Sequence, residues 1–126
     1  MKTARQITDG KLVCLFGCGG NRDTKKRPIM GAISDKYADF SYVTSDNSRM
    51  EDPKDIINQI LKGFNSNNYY AVEDRESAIK LAMSNLTDGD TLIICGKGAE
   101  NYMDIKGKKI PYSDTKIVNE IIEGEK

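Results

Sequence analysis

The residues best suited to chemistry lie in the stretch 15–28, "LFGCGGNRDTKKRP", where an apolar run ends in glycines and cations. Three glycines are followed within seven residues by four basic side chains: Gly17, Gly19, Gly20, Arg22, Lys25, Lys26 and Arg27. Glycines let a backbone approach a ligand closely, and cations neutralise an anion, so the loop suits an acidic ligand. Two simpler interpretations stay open: the glycines serve only a tight turn, and the 25–27 run is a solvated surface.

Composition narrows the classes of function. The chain has 126 residues, 19 basic and 19 acidic, which fits one domain and disfavours a broad nucleic-acid-binding surface. There is no histidine, so the commonest general base and metal ligand is missing. The three cysteines are an odd number without CxxC spacing, which favours reduced thiols in a cytoplasmic protein. No apolar run approaches the ~20 residues of a membrane span, and we predict no metal site.

Strand-like and helical patterns alternate along the chain. Strands are predicted near 11–17, 40–46, 69–74 and 90–96, helices near 28–38, 52–64, 75–86 and after Ser113, and a hairpin over 102–113 turning at 106–107. Asp52 with Pro53 is expected to begin the second of these helices, and Ser113 to cap the last. Residues 1–10 resemble the last turns of a helix, which suggests a piece of a longer chain.

Helical spacing assigns apolar side chains to one face of each helix. These sets are Ile29, Met30, Ile33 and Tyr37; Ile56, Ile57, Ile60, Leu61 and Phe64; Ile79, Ala82, Met83 and Leu86; and Ile117, Val118, Ile121 and Ile122. The alternation predicts an α/β, Rossmann-like, three-layer domain with a mainly parallel sheet, helices on both faces and a C-terminal β-hairpin.

Ligands of open parallel sheets bind beyond the carboxyl ends of the strands, where several polar segments of this chain fall. The segments after the first, second and fourth strands bring candidate binding residues to one edge: Arg22, Asp46, Asn47, Arg49, Lys97 and Glu100. This mixture of cations, carboxylates and an amide suits a zwitterionic ligand. Two nucleotide-binding motifs are not met by the sequence. A dinucleotide-binding fingerprint requires a third glycine where Arg22 stands, and a P-loop requires a Ser or Thr that "GKGAEN" does not contain. Asp46 and Asn47 are also able simply to cap a turn.

Three segments, "FGCGGNRDTKKRPIMGAISDKYAD", "TSDNSRMEDPKDIINQIL" and "GKGAENY", together resemble the C-terminal domain of the Mur ligases. The chain is most similar to the MurE type, which adds the third residue of the peptidoglycan stem peptide, and the resemblance runs from about Ala4 to Ile122. It implies that residues 1–126 form the acceptor amino-acid-binding domain. The N-terminal UDP-substrate domain and the central ATPase domain would then lie outside this chain.

The resemblance implies a cytoplasmic, ATP-dependent amide ligase of cell-wall synthesis. Its substrates are a UDP-MurNAc-dipeptide, a diamino acid and ATP, and ATP and Mg²⁺ are bound mainly by the central domain. No nucleic acid and no membrane insertion are implied, and we expect this chain alone to be monomeric and to hold no catalytic residue. Rival interpretations are a lysine-adding or folate polyglutamate ligase, and a non-catalytic nucleotide-binding module.

By the same resemblance, seven positions contact the acceptor amino acid: Arg22, Asp46, Asn47, Ser48, Arg49, Gly96 and Glu100. Two departures from the family pattern stand out. Ser48 replaces a proline, which is expected to loosen the turn before Arg49, and Ala99 replaces a histidine. The expected acceptor is meso-diaminopimelate or a close analogue, because Arg49 supplies a cation for a distal carboxylate that lysine lacks.

Overall fold

The computed structural model describes residues 10–20, 24–48, 50–87, 89–95, 102–105, 108–111 and 113–124, with only the backbone of 102–105, 108–111 and Thr115. Its strands are β1 (Leu12–Phe16), β2 (Phe40–Val43), β3 (Tyr69–Ala71), β4 (Thr91–Ile94), β5 (Tyr102–Ile105) and β6 (Lys108–Pro111). Its helices are α1 (Lys26–Tyr37), α2 (Pro53–Leu61), α3 (Arg75–Ser84) and α4 (Asp114–Gly124). The helix predicted over residues 1–10 lies almost wholly outside the described residues.

The first four strands form one parallel sheet in the order β3-β2-β1-β4. The central strand β1 pairs with both neighbours, so that Val13 stands opposite Phe40 on one side and Leu92 on the other. Strands β5 and β6 form a separate antiparallel hairpin in which Ile105 faces Lys108. The parallel sheet and the C-terminal hairpin are therefore confirmed.

Side chains of β1 alternate between two cores, one on each face of the sheet. Val13 and Leu15 belong to the core that packs against α3 and α4, and Cys14 and Phe16 belong to the core beneath α2. All five residues of β1 are buried, as expected for a central parallel strand covered on both faces. This arrangement confirms the predicted three layers.

Local signals place the helix ends where the sequence predicts them. The Asp52 carboxylate accepts a hydrogen bond from the backbone N–H of Lys54 at 2.9 Å, with Pro53 at the start of α2. Ser113 Oγ accepts from the backbone N–H of Lys116 at 3.2 Å at the start of α4. No helix in the described part of the chain is both long enough and apolar enough to cross a membrane.

Helices α2 and α3 bury the predicted apolar stripes, but α1 does not. Ile29, Met30 and Ile33 are 56%, 40% and 47% exposed, whereas α1 turns Gly31 and other small or charged residues inward. The reason is a backbone contact between α1 and the C-terminal end of α2. A Cβ atom at Gly31 would lie 2.1 Å from the carbonyl oxygen of Ile60, so only glycine permits this approach.

We predict that Gly31→Ala lowers the free energy of unfolding by about 1–3 kcal/mol, because the backbone of α2 must move away from the added methyl group. Alanine's higher helix propensity offsets only part of this cost. Gly124→Ala is the matched control, since nothing lies within 4 Å of a Cβ atom at Gly124. Urea unfolding of both variants checks the prediction, and equal stabilities would contradict the close helix contact.

Candidate functional site

The candidate site lies at the carboxyl edge, the edge of the sheet at which β1, β2 and β4 end. The chain runs from β1 outward to β3 and returns to place β4 on the other side of β1. Open α/β sheets bind ligands beside such a reversal in strand order. We call the segment that follows β1 (residues 17–25) the first loop and the segment that follows β2 (residues 44–52) the second loop.

The first and second loops are in direct backbone contact. The N–H of Gly20 donates to the carbonyl oxygen of Asn47 at 2.6 Å. A Cβ atom at Gly20 would lie 1.8 Å from the carbonyl oxygen of Ser48, and one at Gly17 would lie 2.4 Å from that of Thr44. These two glycines therefore allow the loops to pack together, a requirement that neither sequence interpretation considered.

Three of the seven predicted acceptor residues lie in the described part of the second loop. Asp46 is half-buried and accepts a hydrogen bond from the N–H of Asn47 at 2.8 Å, consistent with the turn-capping interpretation. Asn47 and Ser48 are buried. The other four predicted residues lie outside the described residues, as does Lys97: Arg22, Arg49, Gly96 and Glu100.

Ser48 closes the turn of the second loop without the ring of a proline. Its carbonyl oxygen accepts from the N–H of Glu51 at 3.0 Å, and the residue is 1% exposed. The expectation that serine loosens the turn before Arg49 stays a prediction, because Arg49 lies outside the described residues. The Ser48 hydroxyl is buried, and it has no hydrogen-bond partner among the residues that the structure describes.

Arg27 is the buried member of the basic run, whereas Lys25 and Lys26 are exposed. Its guanidinium contacts both carboxylate oxygens of Glu51, at 3.0 and 2.7 Å, and donates to the carbonyl oxygen of Gly19 at 3.0 Å. The hydrogen bonds to Glu51 raise the pKa of Arg27 despite its burial, so the group stays charged. A solvated surface is therefore the wrong interpretation for Arg27.

Arg75, the first residue of α3, is a second buried arginine at the same edge. Its Nε and Nη2 atoms donate to the two carboxylate oxygens of Asp114 at 2.9 and 2.8 Å. Its Nη1 donates to the carbonyl oxygen of Ser45 at 3.1 Å, and its Nη2 also donates to that of Cys95 at 2.8 Å. Its side chain is 0% exposed.

Sequence reasoning missed both buried arginines as parts of the site. The spacing of buried residues along each helix supplies one signal. In α1, Arg27 lies on the same helical face as the buried residues Gly31 and Ser34. In α3, Arg75 lies on the same face as the buried residues Ala78, Ile79 and Ala82. An arginine in phase with the inward face of a helix indicates a buried, paired guanidinium. The second signal is a carboxylate near the start of another helix that is able to pair with each arginine. Glu51 lies shortly before α2, and Asp114 is the first residue of α4.

The three cysteines are free thiols. The neighbouring Cys95 thiol and burial raise the pKa of Cys14, and burial raises the pKa of Cys18. A hydrogen bond from Cys14, together with the charge of Arg75, lowers the pKa of Cys95 to about 6. Cys95 lies at the carboxyl edge, directly after β4.

A cavity of about 350 Å³ lies at the opposite edge of the sheet, where the strands begin. The two carboxylates that line it accept hydrogen bonds from the backbone. Asp39 accepts from the N–H of Leu12 at 2.8 Å, and Asp90 accepts from the N–H groups of Lys11 and Thr87 at 2.9 and 3.0 Å. We assign this cavity a structural role. Within the described residues, no group of three or more His, Cys, Asp or Glu side chains is arranged to hold a metal ion.

Comparison with known proteins supports the resemblance seen in the sequence. Residues 1–98 match the family model described as "Mur ligase, glutamate ligase domain". The chain belongs to the Mur ligase family.

Two curated relatives in this family share the same name, UDP-N-acetylmuramoyl-L-alanyl-D-glutamate–2,6-diaminopimelate ligase. The protein from Aquifex aeolicus is 47% identical and aligns with 99% of this chain. The one from Clostridium acetobutylicum, numbered 1, is 45% identical and aligns with 98%. In both, the match spans 26% of the relative, so the chain corresponds to about a quarter of their length.

A solved structure of a UDP-N-acetylmuramoyl-L-alanyl-D-glutamate–2,6-diaminopimelate ligase has the same fold as this chain. The TM-score is 0.92 at 35% sequence identity, and the match covers 98% of this chain and 26% of that one. The fold predicted from the sequence and the Mur ligase resemblance are therefore both confirmed.

We predict that Arg27→Met lowers the free energy of unfolding by about 2–4 kcal/mol, because Glu51 and the carbonyl of Gly19 lose their partner. This is less than the ~3–5 kcal/mol typical of a fully buried pair, since the Glu51 side chain is 29% exposed. The double variant Arg27→Met/Glu51→Leu should regain much of the loss, because no unpaired charge remains. Urea unfolding measures both, and a double variant as unstable as the single one would contradict the pairing.

Proposed function

We propose that this chain is the acceptor-binding, C-terminal domain of an ATP-dependent ligase in cytoplasmic peptidoglycan precursor synthesis. The ligase joins an amine of a diamino acid to the terminal carboxylate of UDP-MurNAc-L-Ala-D-Glu. The observation that carries the proposal is the agreement between two independent lines. Relatives named as diaminopimelate ligases align with nearly the whole chain, and the acceptor segments expected from the sequence follow strands that end at one edge of the sheet.

The contact between the first and second loops supports a shared pocket. Gly20 and Asn47 are hydrogen-bonded through their backbones, and Arg22 and Arg49 each follow one of them by two residues in the chain. We therefore expect the two arginine side chains to serve the same ligand. Each guanidinium is able to grip a carboxylate through two parallel hydrogen bonds.

The proposed selectivity depends on the distal carboxylate of the acceptor. Meso-diaminopimelate carries this carboxylate and lysine does not. A fixed cation at Arg49 therefore pairs with diaminopimelate, whereas bound lysine would leave the same cation without a partner. Asp46 and Glu100 are proposed to accept hydrogen bonds from an ammonium group of the acceptor, and Asn47, Ser48 and Gly96 to shape its pocket. Nothing in this set reads the central atom of the side chain, so a sulfur-bridged analogue belongs to the same ligand class.

We propose that this chain has no complete ATP site of its own. The segment "GKGAEN" lacks the hydroxyl residue of a P-loop. We therefore propose that the part of the ligase outside this chain binds ATP and Mg²⁺, which together activate the carboxylate of the dipeptide. The chain itself binds and orients the amino acid whose amine attacks the activated carboxyl group.

We predict that the full-length protein containing this chain ligates meso-diaminopimelate in preference to L-lysine, and that this chain alone neither ligates nor hydrolyses ATP. The physical reasons are the cation for the distal carboxylate and the missing ATP site. Amide product formed from UDP-MurNAc-L-Ala-D-Glu, ATP and each amino acid measures ligation, and phosphate released from ATP by this chain alone measures hydrolysis. A full-length enzyme that prefers lysine, or amide product from the chain alone, would contradict the proposal.

Arg22→Ala and Arg49→Ala should each raise the KM for diaminopimelate about 10- to 150-fold in the full-length enzyme, with little change in the KM for ATP. The magnitude corresponds to the ~1.5–3 kcal/mol of a hydrogen bond to a charged group. Arg49→Ala should also reduce the preference over lysine. Lys26→Ala is the control, because this exposed lysine belongs to the same basic run but not to the proposed pocket. An ATP-specific loss in Arg22→Ala would instead indicate a phosphate site.

A further inference from the structure

Arg75 contacts two strand ends that do not pair with each other. Ser45 follows β2 and Cys95 follows β4, and the whole of β1 lies between these strands in the sheet. Strands two positions apart in a sheet are separated by roughly 10 Å, so their backbones do not pair with each other. The two amino groups of one guanidinium bind one carbonyl oxygen each and so link the segments that follow β2 and β4.

The two carbonyls belong to the residues directly before the proposed acceptor segments. Ser45 precedes Asp46 in the second loop, and Cys95 precedes Gly96. A peptide plane held by its carbonyl oxygen also fixes the direction in which the next residue leaves. By binding the carbonyl oxygens of Ser45 and Cys95, Arg75 therefore fixes the direction in which each segment leaves the sheet.

Asp114 orients the guanidinium for this task. Its two carboxylate oxygens pair with Nε and Nη2, which fixes the plane of the guanidinium and leaves Nη1 directed to Ser45. Both side chains are buried, at 0% and 7% exposure, so water does not compete for these hydrogen bonds. Asp114 is also the first residue of α4, where the helix dipole favours a negative charge.

We propose that Arg75, oriented by Asp114, is a positioning residue that fixes Ser45 and Cys95 relative to each other, at the points from which the two proposed acceptor segments leave the sheet. This inference rests on the proposed function, which assigns acceptor contacts to positions within 46–49 and 96–100. Arg75 itself binds no substrate. Its loss therefore weakens the binding of the diamino acid by misplacing the residues that touch it.

The test uses Arg75→Lys in the full-length protein containing this chain. Lysine keeps the charge next to Asp114, but a single ammonium lacks the planar fork that reaches both carbonyls and both carboxylate oxygens. We expect the KM for diaminopimelate to rise at least tenfold, with the KM values for ATP and for the UDP-linked dipeptide within about twofold of wild type. Asp114→Asn is the second variant and should shift the same KM in the same direction.

Ile79→Ala is the matched control for loss of stability. Ile79 lies on the same helix as Arg75 and is fully buried, but it belongs to the apolar core. Hydrogen exchange supplies a readout that does not depend on the reaction. In Arg75→Lys, the peptides containing Ser45 and Cys95 should both exchange faster than in Ile79→Ala, while peptides from α2 exchange alike in the two variants.

The outcomes separate this inference from the proposed function. Unchanged exchange at Ser45 and Cys95 in Arg75→Lys would overturn the positioning role, and so would an equal increase in Ile79→Ala. Faster exchange with an unchanged KM for diaminopimelate would show that Arg75 holds segments that do not bind the acceptor, which contradicts the proposed function. A wild-type enzyme inactive with diaminopimelate would also contradict that function, while the exchange comparison still tests Arg75.

Discussion

A guanidinium removed from water needs a partner for nearly every donor, and two such groups determine how the carboxyl edge of this domain is built. Arg27 joins the first loop to the end of the second through Gly19 and Glu51. Arg75 joins the start of the second loop to the end of β4. Neither arginine is able to stay buried unless these loops take their observed positions. The loops, in turn, obtain partners for carbonyl groups that the sheet leaves unpaired.

This interdependence explains which features the sequence predicts well. Strands, helices and their caps depend on signals within a few residues. The caps at Asp52 with Pro53 and at Ser113 are observed, as are the predicted strands and helices between residues 10 and 124. The parallel sheet follows from the alternation of such elements. Asp46, Asn47 and Ser48 also lie at the predicted edge, because the end of a strand decides which edge its loop joins.

The features that were missed depend on residues far apart in the chain. Arg75 lies 39 residues from Asp114, and Arg27 lies 24 residues from Glu51, so helical phase indicates that each arginine is buried but no local pattern identifies its partner. The small spacing between the first and second loops likewise arises only after β1 and β2 have paired. The inward face of α1 was obscured because its contact with α2 is made by a glycine, whereas apolar periodicity points to large side chains.

Temperature acts differently on the two kinds of stabilisation in this domain. The hydration of charged groups becomes less favourable on heating, so the cost of keeping Arg27 and Arg75 out of water falls, while the contribution of buried apolar surface levels off. Both arginines lie at the carboxyl edge, whereas the cores beneath the helices are apolar. As the protein warms, the edge proposed to hold the acceptor therefore gains stability relative to the apolar body that supports it.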